Sequence, residues 1–400
     1  MCTLRNNGGS RRENDALSGP SPAARSVRKV GITMRAVAVF CPVFFAVPTW
    51  LPISLGQHDA EDARKLYAKG VDVLATNVDM SITFFSKAIA IDNKFTAAYV
   101  KRGDAFWRKR EFSKALQDVK TALALDPRNA EAFQVRGNVL FDQGHHEAAL
   151  RDFNTSIALN PKDPETYNYR GTLFDLKNEP DKAIADYTRC LALNKNHINA
   201  LTNRGQAFVQ KGQFERGLQD FARAIEINPK APRPYAVRGQ AFFEKKGDRK
   251  SALADLTMAI KLNPKDPFPY LDRSAIYMFE KKWAAAVADY SKVIQLEPGK
   301  PENYKNRALA LEAWHKWDQA IQDLSTAIRL APKDKESLLR RGLLYQRQKE
   351  YGKAVADYSK AVDLDPSYRD AYFWRASCYE LLGDNAKANR DKEMVKKLQK

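Results

Sequence analysis

Apolar residues along most of this chain recur three and four positions apart, the spacing of helices that bury one face. In QVRGNVLFDQGHHEAALRDFNTSIALNP, two amphipathic stretches flank a turn at Gly144. A shift of 34 residues lays the pattern on itself. Gly103, Gly137, Gly171, Gly205 and Gly239 fall in one column. After one extra residue around Lys246, the column continues through Ser274, Ala308, Gly342 and Ala376. A second small column runs Ala115, Ala149, Ala183, Gly217, Ala252, Ala286, Ala320, Ala354 and Ala388. A third runs Ala122, Ser156, Cys190, Ala224, Ala259, Val293, Ala327 and Ala361. Small residues let two helix backbones approach closely. A proline (Pro127, Pro161, Pro229, Pro264, Pro298, Pro332, Pro366) closes most units and ends the second helix, and Lys195 breaks that column once. Each unit is therefore a helix–turn–helix that cannot bury its apolar face alone, and stacked units share one core. The prediction is an all-α solenoid.

The pattern resembles the tetratricopeptide repeat over residues 63–400, in ten units: 63–95, 96–129, 130–163, 164–197, 198–231, 232–266, 267–300, 301–334, 335–368 and 369–400. The first is degenerate: it keeps Phe85 and Ala88 but has Asn93 in place of the closing proline. The last has a polar second helix, NAKANRDKEMVKKLQK, which suits an end cap. The resemblance implies a right-handed superhelix of antiparallel helix pairs, with first helices lining a concave groove and second helices outside. It also implies a non-catalytic scaffold that binds a peptide or protein segment in that groove.

Two charged columns stand where this family usually places packed apolar residues. Arg102, Arg136, Arg170, Arg204, Arg238, Arg273, Arg307, Arg341 and Arg375 precede the glycine column. Asp118, Asp152, Asp186, Asp220, Asp255, Asp289, Asp323, Asp357 and Asp391 follow 16 residues later, or 17 in the unit with the extra residue. The degenerate first unit lacks both. Joint replacement of two apolar slots by opposite charges predicts that they meet, Arg170 with Asp186 and Arg204 with Asp220, as structural ion pairs.

Positions two before and two after each arginine share one face of the first helix. They are polar in the third to sixth units (Gln134, Asn138, Asn168, Thr172, Thr202, Gln206, Gln240). From the seventh unit they become apolar (Leu271, Ala275, Leu309, Leu339, Leu343, Phe373), with Phe268 and Met278 nearby. We read this face as the protein-binding groove, the apolar half giving affinity and the polar half, Asn168, Thr202 and Gln206 among it, hydrogen-bonding a partner backbone. The family's carboxylate clamp for heat-shock chaperone C-termini is incomplete. Asn306 and Arg340 match it, but Leu271, Ala275 and Glu336 do not, so that partner is not expected. Nor is there an asparagine ladder like that of O-linked N-acetylglucosamine transferase.

No phosphate-binding loop, nucleophile elbow, zinc-protease motif or CxxC pair occurs in the sequence. Cys190 lies in a small, buried column and His145–His146 in a turn. Neither an enzyme, a cofactor nor a metal site is expected. The net charge of +18 favours acidic partners. Yet the groove columns hold few and scattered bases, so nucleic acid is not the expected partner. Residues 1–33 read as a disordered polar extension. Residues 34–56, with an uncharged run from Ala36 to Gly56 after Arg35, read as a signal peptide cleaved near Gly56, and the protein as exported. Pro42, Pro48 and Pro52 interrupt that run, which disfavours a spanning helix. The alternative is an uncleaved membrane anchor through 36–56 and a membrane-associated assembly factor.

Overall fold

The computed structural model describes residues 57–399, and the expected extension, signal peptide and cleavage point at 1–56 lie outside them. Among the described residues there are twenty α-helices and no strand. They alternate as first and second helices of ten units: α1 (Gln57–Val73) and α2 (Val78–Ile91), α3 (Thr96–Arg108) and α4 (Phe112–Leu125), α5 (Ala130–Asp142) and α6 (His146–Leu159), α7 (Pro164–Leu176) and α8 (Pro180–Leu193), α9 (Ile198–Gln210) and α10 (Phe214–Ile227). The second half continues with α11 (Pro232–Ala241) and α12 (Arg249–Leu262), α13 (Phe268–Phe279) and α14 (Trp283–Leu296), α15 (Pro301–Ala313) and α16 (Trp317–Leu330), α17 (Lys335–Arg347) and α18 (Tyr351–Leu364), α19 (Arg369–Leu381) and α20 (Asn385–Lys397). The first helix reaches back to Gln57, six residues before the repeat boundary read from sequence.

The glycine column sets how closely the two helices of a unit approach. A Cβ on Gly137 would lie 2.6 Å from the ring of Phe153, and one on Gly171 would lie 2.6 Å from the ring of Tyr187. Gly70 makes the same fit with Phe85, so the degenerate first unit keeps the packing although it lost the charges. Where the column holds Ala308, the facing side chain is the smaller Leu324, which is fully buried. Size is traded across this pair, although not in every unit, since Gly239 meets Leu256 and Gly103 meets Val119. The core is a chain of such clusters, each formed by one unit and its neighbour.

The turn inside each of the second to tenth units is closed by one residue in the left-handed region: Arg110, Gly144, Asn178, Gly212, Gly247, Lys281, His315, Lys349 and Gly383. These residues again recur with the period of the repeat. At most junctions between units the turn is held by a different residue from the proline, Glu297 and Ala331 being the exceptions. Asp126, Asn160, Asn194 and Asn228 stand at the ends of second helices, and each side chain accepts from the backbone N–H two residues on, at 3.0–3.2 Å. Asn194 takes the same extended backbone (φ −138°, ψ 91°) as Asp126 (φ −138°, ψ 93°), although Lys195 rather than proline follows it. The Asx turn thus holds the junction, and the proline reinforces it.

The extra residue of the sixth unit is absorbed in a single π turn, Phe242–Lys246, at the end of α11. Gly247, at φ 63°, closes it. The next second helix therefore starts in register with its neighbours.

Candidate binding groove

Successive first helices touch one another: α3 meets α5, α5 meets α7, α7 meets α9, α9 meets α11, α11 meets α13 and α17 meets α19. Second helices make no comparable contact with the next second helix. Elements crowd on the inside of a curve, so the first helices form the concave face. Clefts open along it. One of about 480 Å³ lies between α15 and α17 and is lined by Lys305, Leu309, Glu312, Glu336, Arg340 and Leu343 among others. Another, of about 560 Å³, spans the second to fifth units and includes Lys101, Asp104, Glu131, Gln134 and Glu165.

The arginines and aspartates form nine forks. Each Nε and Nη2 donates to the two carboxylate oxygens of its partner, with Arg170 on Asp186 at 2.7 and 2.8 Å and Arg204 on Asp220 at 2.8 and 2.8 Å. All nine aspartates are buried. The third guanidinium nitrogen reaches the second helix of the preceding unit: Ser86, Asn154, Thr188, Thr257, Ser291, Ser325 or Ser359, at 2.7–3.2 Å. Each of these arginines joins three helices of two units. The hydrogen bond to the aspartate raises the pKa of Arg238, Arg273, Arg307, Arg341 and Arg375 above the ordinary arginine value. The residue two after each aspartate, usually Ser, Thr or Asn, is a periodic signal that the pairwise reading of Arg and Asp missed.

The groove residues divide three ways. Phe268, Leu309 and Phe373 are exposed, at 66, 37 and 50 % of their accessible surface. Leu271 and Met278 are half-buried against Tyr290 and Ala310, and Leu339 packs against Leu338, Tyr372 and Cys378; Leu343 is also half-buried. Leu271, Met278 and Leu339 serve inter-unit packing as much as the groove, while Leu343 lines the cleft between α15 and α17. Thr202 is buried with its hydroxyl bonded within its own helix, which corrects the reading of it as a partner-binding donor, and Asn168 is also buried although it borders a cleft. The reason is the contact between neighbouring first helices, which covers that column. The Thr202 hydroxyl donates to Ile198 O at 2.8 Å. Asn168 accepts from Asn203 Nδ2 at 3.2 Å, and Asn203 Oδ1 accepts from Arg233 Nη2 at 2.6 Å. This chain crosses three units along the groove floor. Gln206 is half-buried and lines a smaller cleft with Gln240 and Glu244.

Beside it, Tyr187 donates to Asp175 Oδ2 at 2.6 Å. Burial raises the pKa of the Asp175 carboxyl, and burial with the nearby Asp175 raises that of the Tyr187 hydroxyl. Burial also lowers the pKa of Arg233, although part of its side chain is open to solvent inside the groove. His197 Nδ1 accepts from Ala200 N–H at 3.1 Å, so its Nε2 donates to Glu165 at 2.9 Å, tying the start of α9 to α7. Asp272, on α13, is pushed up to about 7 by burial and by Glu244 and Asp266. Cys190 and Cys378 are free and buried. Among the described residues no group of His, Cys, Asp or Glu is placed to hold a metal, and no helix is long and apolar enough to cross a membrane.

Family models described as tetratricopeptide repeat match residues 100–164, 135–197, 274–340 and 336–368, and one described as TPR repeat matches 205–246, together more than half of the chain. No curated protein matches in sequence. Among solved structures, one chain of the Cut9–Hcn1 hetero-tetramer of the APC/C is similar at 16% identity and a TM-score of 0.51, covering 78% of this chain and 62% of its own. A tetratricopeptide repeat protein from Parabacteroides merdae is 22% identical with a TM-score of 0.47, covering 62% of this chain and 98% of its own. YrrB, whose structure is described as a TPR protein with an unusual peptide-binding site, is 23% identical with a TM-score of 0.37 over 50% of this chain and 97% of its own.

Proposed function

The chain belongs to the tetratricopeptide repeat family, and we propose that it is a non-catalytic scaffold that holds a segment of a partner protein in its concave groove. The observation that carries this reading is the exposure of Phe268, Leu309 and Phe373 on first helices that face inward. Large apolar side chains kept in water along one concave face mark an interaction surface. The test places a photo-crosslinking residue at Leu309 or Phe373 in the groove and, separately, at Met258 on the second helix α12. A partner caught from the groove positions alone supports the reading. One caught only from Met258 overturns it.

We also propose that the protein is exported, on the strength of the uncharged run from Ala36 to Gly56. N-terminal sequencing of the mature protein then begins near Gln57. A product that keeps the run and sediments with membranes favours the anchored assembly factor instead.

A further inference from the structure

The charge of this protein is unevenly placed. Six register positions of the first helices recur among the residues that line the clefts: five, two and one before the arginine, and two, five and six after it. Over the second to tenth units these positions hold twelve acidic and six basic residues, a net −6. Residues 57–400 as a whole carry +13, and the nine Arg–Asp forks cancel, so the remaining surface carries +19. The concave face of a strongly cationic protein is therefore anionic.

Most of the groove bases are already answered. Lys101 pairs with Glu131 at 2.6 Å, Arg108 with Asp104 at 3.0 Å and Lys305 with Asp334 at 3.0 Å, while Arg340 and Arg347 share Glu312 at 3.7 Å. Among the described residues, Asp142, Asp175, Glu244, Asp272, Glu336 and Asp370 have no cation within ion-pair distance. Asp142 accepts only from the Trp107 indole, Asp175 from Tyr187 and Glu244 from Gln240. From Glu244 onward these carboxylates are interspersed with exposed Phe268, Leu309 and Phe373.

We propose that the occupant of the groove is an extended segment of a partner protein in which lysines or arginines alternate with large apolar residues. This rests on the groove reading above and specifies its ligand. The opposite charges of groove and back make the assignment discriminating. The long-range field of a protein at +18 repels a cationic peptide, so only the local field of the groove can hold it. It also sets the direction of entry, because the positive back turns such a segment away from every surface but the inner one.

The experiment measures fluorescence anisotropy of labelled peptides of about 15 residues, long enough when extended to cross several units. They are built on the repeat Lys-Ser-Leu, with Glu-Ser-Leu and Gln-Ser-Leu as counterparts, and are added to the full-length protein. The Lys peptide binds at least about tenfold more tightly than the Glu peptide, and raised salt weakens it several-fold. The triple variant Glu244→Gln, Glu336→Gln, Asp370→Asn loses about tenfold. Glu147→Gln, Asp181→Asn, Asp318→Asn makes the same charge change on second helices and leaves affinity within about twofold. Circular dichroism confirms that both variants keep their helix content. Equal or tighter binding of the Glu peptide overturns the charge assignment, as does an equal loss in the second-helix variant or no binding of any peptide. In each case the crosslinks from Leu309 and Phe373 judge the groove reading separately.

Discussion

Arg238 donates to Asp255 at 2.7 and 2.8 Å although the two stand 17 residues apart, one more than in every other unit. The π turn at Phe242–Lys246 takes up the extra residue before the partner helix begins, and so the fork keeps its geometry. A repeat can tolerate an insertion when the turn stores it and the packed faces stay in phase.

The forks predict a strong coupling within a unit and a weaker one between units. Arg341→Leu leaves buried Asp357 without its cation and lowers stability by about 2–4 kcal/mol. Adding Asp357→Leu recovers much of that. Ser325→Ala, which removes the link from Arg341 Nη1 at 2.8 Å together with the hydroxyl's bond to Ile321 O at 2.7 Å, costs about 0.5–1 kcal/mol. Denaturant midpoints and slopes of the single and double variants measure this, and additive losses for the Arg and Asp changes refute the coupling.

Size exchange across the helix pair gives a second prediction. A Cβ on Gly342 would lie 2.5 Å from the Tyr358 ring, so Gly342→Ala destabilises the array by about 1–3 kcal/mol. Combining it with Tyr358→Leu restores part of the loss, because Ala308 already faces Leu324 in the neighbouring unit. Thermal melts of the single and double variants decide. A double variant less stable than Gly342→Ala refutes the exchange.

Lys349 is exposed and sits in the left-handed region at φ 62°. Lys349→Gly relieves a backbone cost of about 1–2 kcal/mol and adds about 0.5–1 kcal/mol of chain entropy to the unfolded state. The net expectation is a gain of about 0.5–1 kcal/mol, read as a higher denaturation midpoint.

Asp272 gives the pH dependence. Its carboxyl sits at about 7 in the folded chain, raised by burial and by repulsion from Glu244 and Asp266. Between roughly pH 4, its unfolded value, and pH 7 the folded state holds the proton more tightly, so this group's contribution to stability falls as pH rises. It is flat outside that window. Asp272→Asn removes about 1–2 kcal/mol of this slope, after allowance for screening by water in the groove. Urea melts at pH 5 and pH 7.5 with the same slope in both proteins refute it.

The fold could be read from the chain because one period places Gly, Ala, Pro, Arg and Asp in columns, and each column has a single packing role. The groove was less legible. Leu309 and Leu339 both look apolar and inward-facing from one helix, yet Leu309 is open and Leu339 packs against residues of α17, α19 and the helices beside them. Helical spacing tells which face is turned inward. It does not tell how far the next first helix overlaps that face, and this overlap is what buried Asn168 and Thr202. The charge of the groove was legible in the same columns, but only once the six positions that line the clefts were known.

Two junctions lack the third arm of the fork. Lys120 and Ala222 stand where the other units offer Ser, Thr or Asn, and among the described residues Arg136 and Arg238 have no hydrogen bond to the preceding second helix. In a linear array, load and heat concentrate at the weakest seams. Stretched between its ends, this molecule would part first at those two fracture planes, into blocks of two, three and five units. Each block would remain intact while the seams between them open and close.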